Sequence, residues 1–187
     1  MSDGQTALDQ LIARVPPPAG LSPVTLDWGQ VFAAFETELP WDFVEFAERY
    51  GACEFNQWLG VNDFRHSHDG DPRRGPQSAG DVYRVLRSAH PASYPFAARP
   101  EPEGFLAWGA IIDGDHFGWL TVGDPDDWPV VVWPRHREQG PAVHVPMTEF
   151  LLHWVSGSAL RLPELPVFDE ITCGVWACRE CAGPVDR

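Results

Sequence analysis

The chain has 187 residues, 44% of them apolar, and its 27 acidic side chains outweigh 13 basic ones to give a formal net charge of −14. Nine Trp and eleven Phe supply enough large apolar surface for one folded core, which excludes disorder of the whole chain. The negative balance excludes a non-specific nucleic-acid binder and a binder of anionic membranes, since both need a basic footprint.

Residues 1–24 read as a short helix, Ala7 to Val15, followed by a Pro16-Pro17-Pro18 spacer, and are expected to be peripheral. Met1-Ser2-Asp3-Gly4 has neither the basic start nor the apolar stretch of a secretory signal, so a cytoplasmic protein with reduced thiols is expected. Asp27 and Gln30 form a capping-box pair that opens a helix running to about Leu39. Pro40 suits the first turn of the next helix, where Phe43, Phe46, Ala47 and Tyr50 share one face and Gly51 provides the stop. Cys53 to Phe64 reads as strand or loop, residues 65–80 as a mobile Gly/Pro-rich loop, and Asp81 as the cap of a short helix.

The clearest β signal is central. Phe105 to Ile112, the turn Asp113-Gly114-Asp115, and His116 to Val122 predict a hairpin. The run is far below the roughly 18 apolar residues of a membrane span. A second turn, Gly123-Asp124-Pro125-Asp126-Asp127, leads to a third strand ending at Trp133, and a further strand is expected around Ala142 to Val145. Thr148 is the expected cap of a closing helix that carries Phe150, Leu151 and Trp154. The predicted class is α+β: a single domain over 25–157 whose central, mostly antiparallel meander is flanked by helices, with 158–187 as a C-terminal extension.

Several of these segments, in order, resemble the SUKH superfamily. They are Leu39-Pro40-Trp41-Asp42-Phe43-Val44-Glu45-Phe46 to Tyr50-Gly51, Glu54-Phe55, Leu59-Gly60-Val61 and Leu106-Ala107-Trp108-Gly109. Downstream come Asp113-Gly114-Asp115, Trp119-Leu120-Thr121, Gly123 to Val130 and Thr148-Glu149-Phe150-Leu151. The resemblance covers about residues 38–157. It implies a non-catalytic immunity protein that binds and neutralises a toxin domain, often a nuclease. Fungal members of that superfamily regulate cell-wall synthesis through protein contacts, which keeps a general interaction or regulatory module as the alternative.

A basic toxin domain is the expected partner, met by the carboxylates of Asp124, Asp126 and Asp127 together with Glu54. Fixed carboxylates facing Arg or Lys raise the association rate. Trp58 and Trp128, near strand ends, are the candidate anchors, because Trp often carries much of an interface's binding energy. The acidic turn departs from the twelve-residue calcium loop, and Asp and Pro are also ordinary turn residues. Asp113 and Asp115 are explained by the hairpin, and no Gly-rich phosphate loop, nucleophile elbow or zinc-protease pair is present, so no cofactor or catalytic group is expected. Cys173, Cys178 and Cys181 form the weak candidate for zinc, lacking a local fourth ligand unless Cys53 or His153 supplies it; redox chemistry through the same cluster is the remaining alternative. His66 and His68 sit two apart in the polar loop and read as solvated.

Overall fold

The computed structural model describes residues 3–67, 69–135, 139–157 and 165–176. In chain order the elements are α1 (Asp3–Arg14), α2 (Trp28–Phe35), α3 (Trp41–Tyr50), β1 (Cys53–Phe55), β2 (Leu59–Val61), α4 (Arg74–Ala89), β3 (Phe105–Ile111), β4 (His116–Leu120), a 3₁₀ turn (Pro125–Asp127), β5 (Val130–Trp133), α5 (Met147–Val155) and β6 (Cys173–Val175). The strands pair antiparallel in the order β5-β4-β3-β2-β1-β6. The architecture is α+β, with the predicted meander at its centre.

Strand alternation divides the apolar residues between two faces. On one face Phe55, Trp108, Phe117 and Trp119 meet Phe43 and Phe46 of α3 and Phe150 of α5 in the main core. Leu106 and Trp108, two apart on β3, share that side by alternation, and the register of β3 against β4 shifts between Ala107 and Gly109. On the other face Phe105, Val131 and Trp133 pack under Tyr83 and Ala79 of α4. The rings are mutually braced: Phe43 lies edge-on to Trp119 at 5.2 Å, and Tyr83 edge-on to Trp133 at 5.1 Å.

Four segments differ from the sequence expectation. The N-terminal helix is not peripheral. Ala7, Leu8, Leu11 and Val15 recur at helical spacing and are buried, and the Tyr50 hydroxyl donates to the Val15 carbonyl at 2.6 Å. The loop expected over 65–80 gives way to α4 from Arg74 onward. Pro76 stands in the first turn, where no backbone donor is needed, and Gly80 faces the neighbouring chain so closely that a Cβ would lie 3.3 Å from the Arg99 carbonyl. The Gly and Pro residues there are packing and helix-start residues, and Asp81 pairs with Arg84 inside the helix instead of capping it. The strand expected at Ala142 to Val145 reduces to one bridge, Val143 with Val130. The described part of the C-terminal extension, 165–176, is built into the domain: β6 extends the sheet beyond β1, and Leu165, Phe168 and Ile171 pack against the main core.

Buried Arg65 ties α3 to the segment after β2. It donates to Asp63 at 2.8 Å and to Glu48 at 2.6 Å, while its guanidinium lies 4.7 Å from the Trp28 ring centre. Trp28 Nε1 also donates to Glu48 at 2.7 Å, so the indole is held from two sides. That indole forms part of a surface cleft.

Candidate functional site

The acidic turn is rigid for local reasons. Gly123 takes φ +76°, and Asp124 then caps the 3₁₀ turn, its carboxylate accepting from the Asp126 N–H at 3.2 Å. Pro125 fixes the first position of that turn. Asp126 in turn accepts from the Trp41 N–H at 2.6 Å, the first residue of α3. The residue before Trp41 is Pro40, which has no side chain able to cap the helix, so Asp126 supplies the missing acceptor from another element.

The same device is used once more. Pro146 precedes α5 and cannot cap it, and Thr148, the expected cap, lies inside the helix. Asp42 of α3 accepts from the Thr148 N–H at 2.8 Å. Burial holds the Asp42 carboxyl above the ordinary carboxylate range, against the lowering effect of its hydrogen bonds from Thr148, and the negative charge of Asp126 adds to the rise. Two helix starts are therefore chained: the turn caps α3, and α3 caps α5.

These contacts set the shape of a cleft of about 440 Å³. Its floor and walls are Trp28, Phe32, Leu39 and Val44, and its rim carries Glu38, Trp41, Asp124 and Asp126. Trp41 is 50% exposed although it opens a helix whose other aromatic residues are buried. Glu38, Asp124, Asp126 and Asp127 are exposed, and among the described residues none of them forms an ion pair. The arrangement joins an exposed indole, an apolar floor and uncompensated fixed charge.

The predicted site residues separate into different places. Asp124, Asp126 and Asp127 stay together on the turn. Trp128, expected as an anchor beside them, is only 5% exposed; its ring packs 6.2 Å from Trp119 and its Nε1 donates to the Gly123 carbonyl at 3.3 Å. The accessible indole of this region is Trp41, which the sequence reading placed only within a helix. Trp58 is half-buried between Trp154 and Phe168, with ring centres at 5.5 and 5.9 Å, and braces the C-terminal segment. Glu54 lies on β1 and lines a second, larger cleft that shares no residue with the first.

Of the cysteines, Cys53 is buried in the core and Cys173 lies on the adjacent β6, while Cys178 and Cys181 lie outside the described residues. Burial first, and then its Cys173 neighbour, push the Cys53 thiol well above its ordinary range. The protonated form is thereby favoured over the thiolate that metal binding needs. His153, the other candidate fourth ligand, lies on α5 with its Nε2 3.4 Å from Glu149. His66 Nδ1 is 2.7 Å from the Pro23 carbonyl, and His68 is outside the described residues. Among the described residues no group of three or more His, Cys, Asp or Glu is arranged to hold a metal ion, and no helix is long and apolar enough to cross a membrane. No family model matches the chain, and no curated protein or solved structure matches it.

Proposed function

We propose that this chain is a cytoplasmic, non-catalytic binding protein of the immunity type, which neutralises a basic toxin domain by occluding it. The observation that carries the reading is the exposed Trp41 beside the uncompensated carboxylates of Asp124, Asp126, Asp127 and Glu38. The ordered motifs that resemble the SUKH superfamily support the same reading. The α+β architecture accords with it.

Magnitudes assign different tasks to the two parts of the cleft. A solvent-exposed pair of opposite charges about 4 Å apart is worth about 1 kcal/mol. Such charges steer the encounter more than they hold the complex. A Trp seated in a partner's pocket commonly contributes about 2 kcal/mol or more. Trp41 therefore governs dissociation, and the acidic turn governs association.

The test is a protection assay. The chain is co-expressed with the toxin domain encoded in its own chromosomal neighbourhood, with an unrelated immunity protein as control. Specific survival and a co-purifying complex support the proposal. In that complex, Asp124→Lys with Asp127→Lys slows association and flattens its salt dependence, while Trp41→Ala accelerates dissociation by about thirtyfold. Survival without a complex contradicts occlusion. A set of weak partners recovered from the native cytosol, with no rescue, points instead to a regulatory interaction module.

A further inference from the structure

Among the described residues, the helical layer on the α4 side of the sheet covers only part of it. α4 packs against β3, and the buried residues beneath it come from β3, β4 and β5. Beside it lies an open cleft of about 910 Å³, lined by Glu54 of β1, by residues that flank β1, β2, β3 and β6, and by the chain between Asp63 and Ser78. Its walls include Ala52, Glu54, Asn62, Ile112 and Trp176. By register, Gly174, Glu54, Gly60 and Ala110 form one row across four strands. Glu54 is the only long side chain in that row, and two glycines flank it. Glycine inside a strand weakens the strand and often marks the close approach of another group.

The walls of this floor are fixed and partly apolar. The Trp176 N–H donates to the Ala52 carbonyl at 3.0 Å, which locks the residue to β1. Its ring lies over Gly60, where a Cβ would touch it at 3.8 Å. Trp176 is 40% exposed and Ile112 is 73% exposed. The other carboxylates of the cleft are matched: Asp63 by Arg65, Asp69 by Arg74 and Asp71 by Arg73. Among the described residues Glu54 has no hydrogen bond or ion pair, so it carries the uncompensated charge of the cleft.

We propose that the β2-β1-β6 face, which no helix among the described residues covers, carries a second recognition site, which takes an arginine or lysine side chain of a protein partner between the Glu54 carboxylate and the Trp176 ring. Gly60 lies under the Trp176 ring, while at Gly174 a Cβ would meet nothing nearer than the Glu54 side chain at 4.0 Å, so the sheet beside Glu54 leaves room for the aliphatic stem. The indole offers a face to the cation, and Glu54 supplies the counter-charge at the end. The proposal rests on the reading of the chain as a binder of basic proteins, but it uses a different cleft and different residues.

The experiment is a titration of ¹⁵N-labelled full-length protein with N-acetyl-arginine amide, followed by amide and indole NMR shifts. The isosteric, uncharged N-acetyl-citrulline amide is the control probe, and N-acetyl-lysine amide the second cation. Saturating shifts at Glu54, Gly60, Gly174 and the Trp176 indole, given by both cations but not by citrulline, support the site. Glu54→Gln, an isosteric change at a half-buried position, and Trp176→Ala, at an exposed one, then weaken the fitted affinity about tenfold while the remaining spectrum overlays that of the unaltered protein. Equal shifts from citrulline, or unchanged affinity in Glu54→Gln, overturn it. So do shifts confined to Trp41 and residues 124–127, which leave the first cleft standing. Shifts in the β-sheet cleft with a silent acidic turn support this site and count against the first. No shift at either cleft overturns both.

Discussion

Replacing Asp126 by Ala removes the acceptor that, among the described residues, holds the first N–H of α3 at 2.6 Å. Loss of a helix-capping side chain costs about 1 kcal/mol, within a range of about 0.5–2. The carboxylate also faces the positive end of the α3 dipole, an attraction of about 0.3–1 kcal/mol at a surface position. One effect opposes these: without the Asp126 charge, buried Asp42 ionises more easily, because that charge helps hold its carboxyl up. This opposing effect is the smallest influence on Asp42, so Asp126→Ala loses about 1 kcal/mol net, or about 2–4 °C of melting temperature for a domain of this size. Asp126→Asn keeps an acceptor oxygen and loses less than half as much. Asp127→Ala, one residue on, removes a side chain without a partner among the described residues and stays within about 0.5 kcal/mol of the parent. Urea denaturation of the three variants, with slopes compared, measures these differences. Equal midpoints for Asp126→Ala and Asp127→Ala refute the cross-capping argument and leave the turn as a purely surface feature.

Other outcomes follow from particular contacts. Asp42→Asn retains an oxygen for the Thr148 N–H but removes a buried charge. Because the folded-state carboxyl is raised above its unfolded value, ionised Asp42 disfavours folding at neutral pH, and that disadvantage disappears as pH falls toward the ordinary carboxylate range. The variant is therefore at least as stable as the parent at pH 7, and its margin narrows in urea melts at pH 4. Gly118→Ala places a Cβ 2.4 Å from the Leu106 carbonyl and 2.5 Å from the Phe105 ring, and loses about 2–3 kcal/mol by chemical denaturation. Gly140→Ala, with nothing within 4 Å of the new atom, is the neutral control. Phe168→Ala removes the ring that braces both Trp58 and Trp154 and costs about 2 kcal/mol, seen as a lower urea midpoint.

The parts of the fold legible in the sequence are those specified by local chemistry. Asp27 and Gln30 make the reciprocal capping box over α2, with bonds of 2.8 and 2.9 Å. Gly114 adopts φ +91° in the hairpin that Asp113-Gly114-Asp115 predicts. The parts that were not legible depend on partners distant in the chain. Asn56 and Gln57 turn β1 into β2 with φ of 51° and 55°, without the glycine that usually marks such a turn. Asn56 is held there by the C-terminal segment, accepting from the Thr172 N–H and donating to the Glu170 carbonyl. Pro40 and Pro146 precede helices they cannot cap, and the acceptors that complete those starts lie far off: Asp126 is 85 residues from Trp41, and Asp42 is 106 residues from Thr148. In α4 the Gly and Pro residues mimic a loop because the close neighbour that Gly80 accommodates is invisible in one dimension.

The candidate site shows the same division. Three carboxylates on one turn stand out in any reading, whereas the indole that accompanies them depends on helix orientation. Phe43, Phe46 and Tyr50 turn into the core, and that leaves Trp41, at the helix start, on the outer side beside Asp126. Trp128, adjacent to the carboxylates in sequence, is drawn inward because β5 begins two residues later and carries it onto Trp119. Exposure of an aromatic ring is decided by the direction in which its element faces, not by how many charged neighbours it has along the chain. The hydrogen bond that caps α3 also fixes the distance between the Trp41 backbone and the acidic turn. A partner of the proposed kind would meet a charge pattern and an anchor already set in register, and less conformational freedom would be lost on binding than with a flexible acidic loop. The same rigidity means that a variant of Asp126 tests stability and the proposed recognition together, whereas Asp127, whose side chain has no partner among the described residues, tests the proposed recognition by itself.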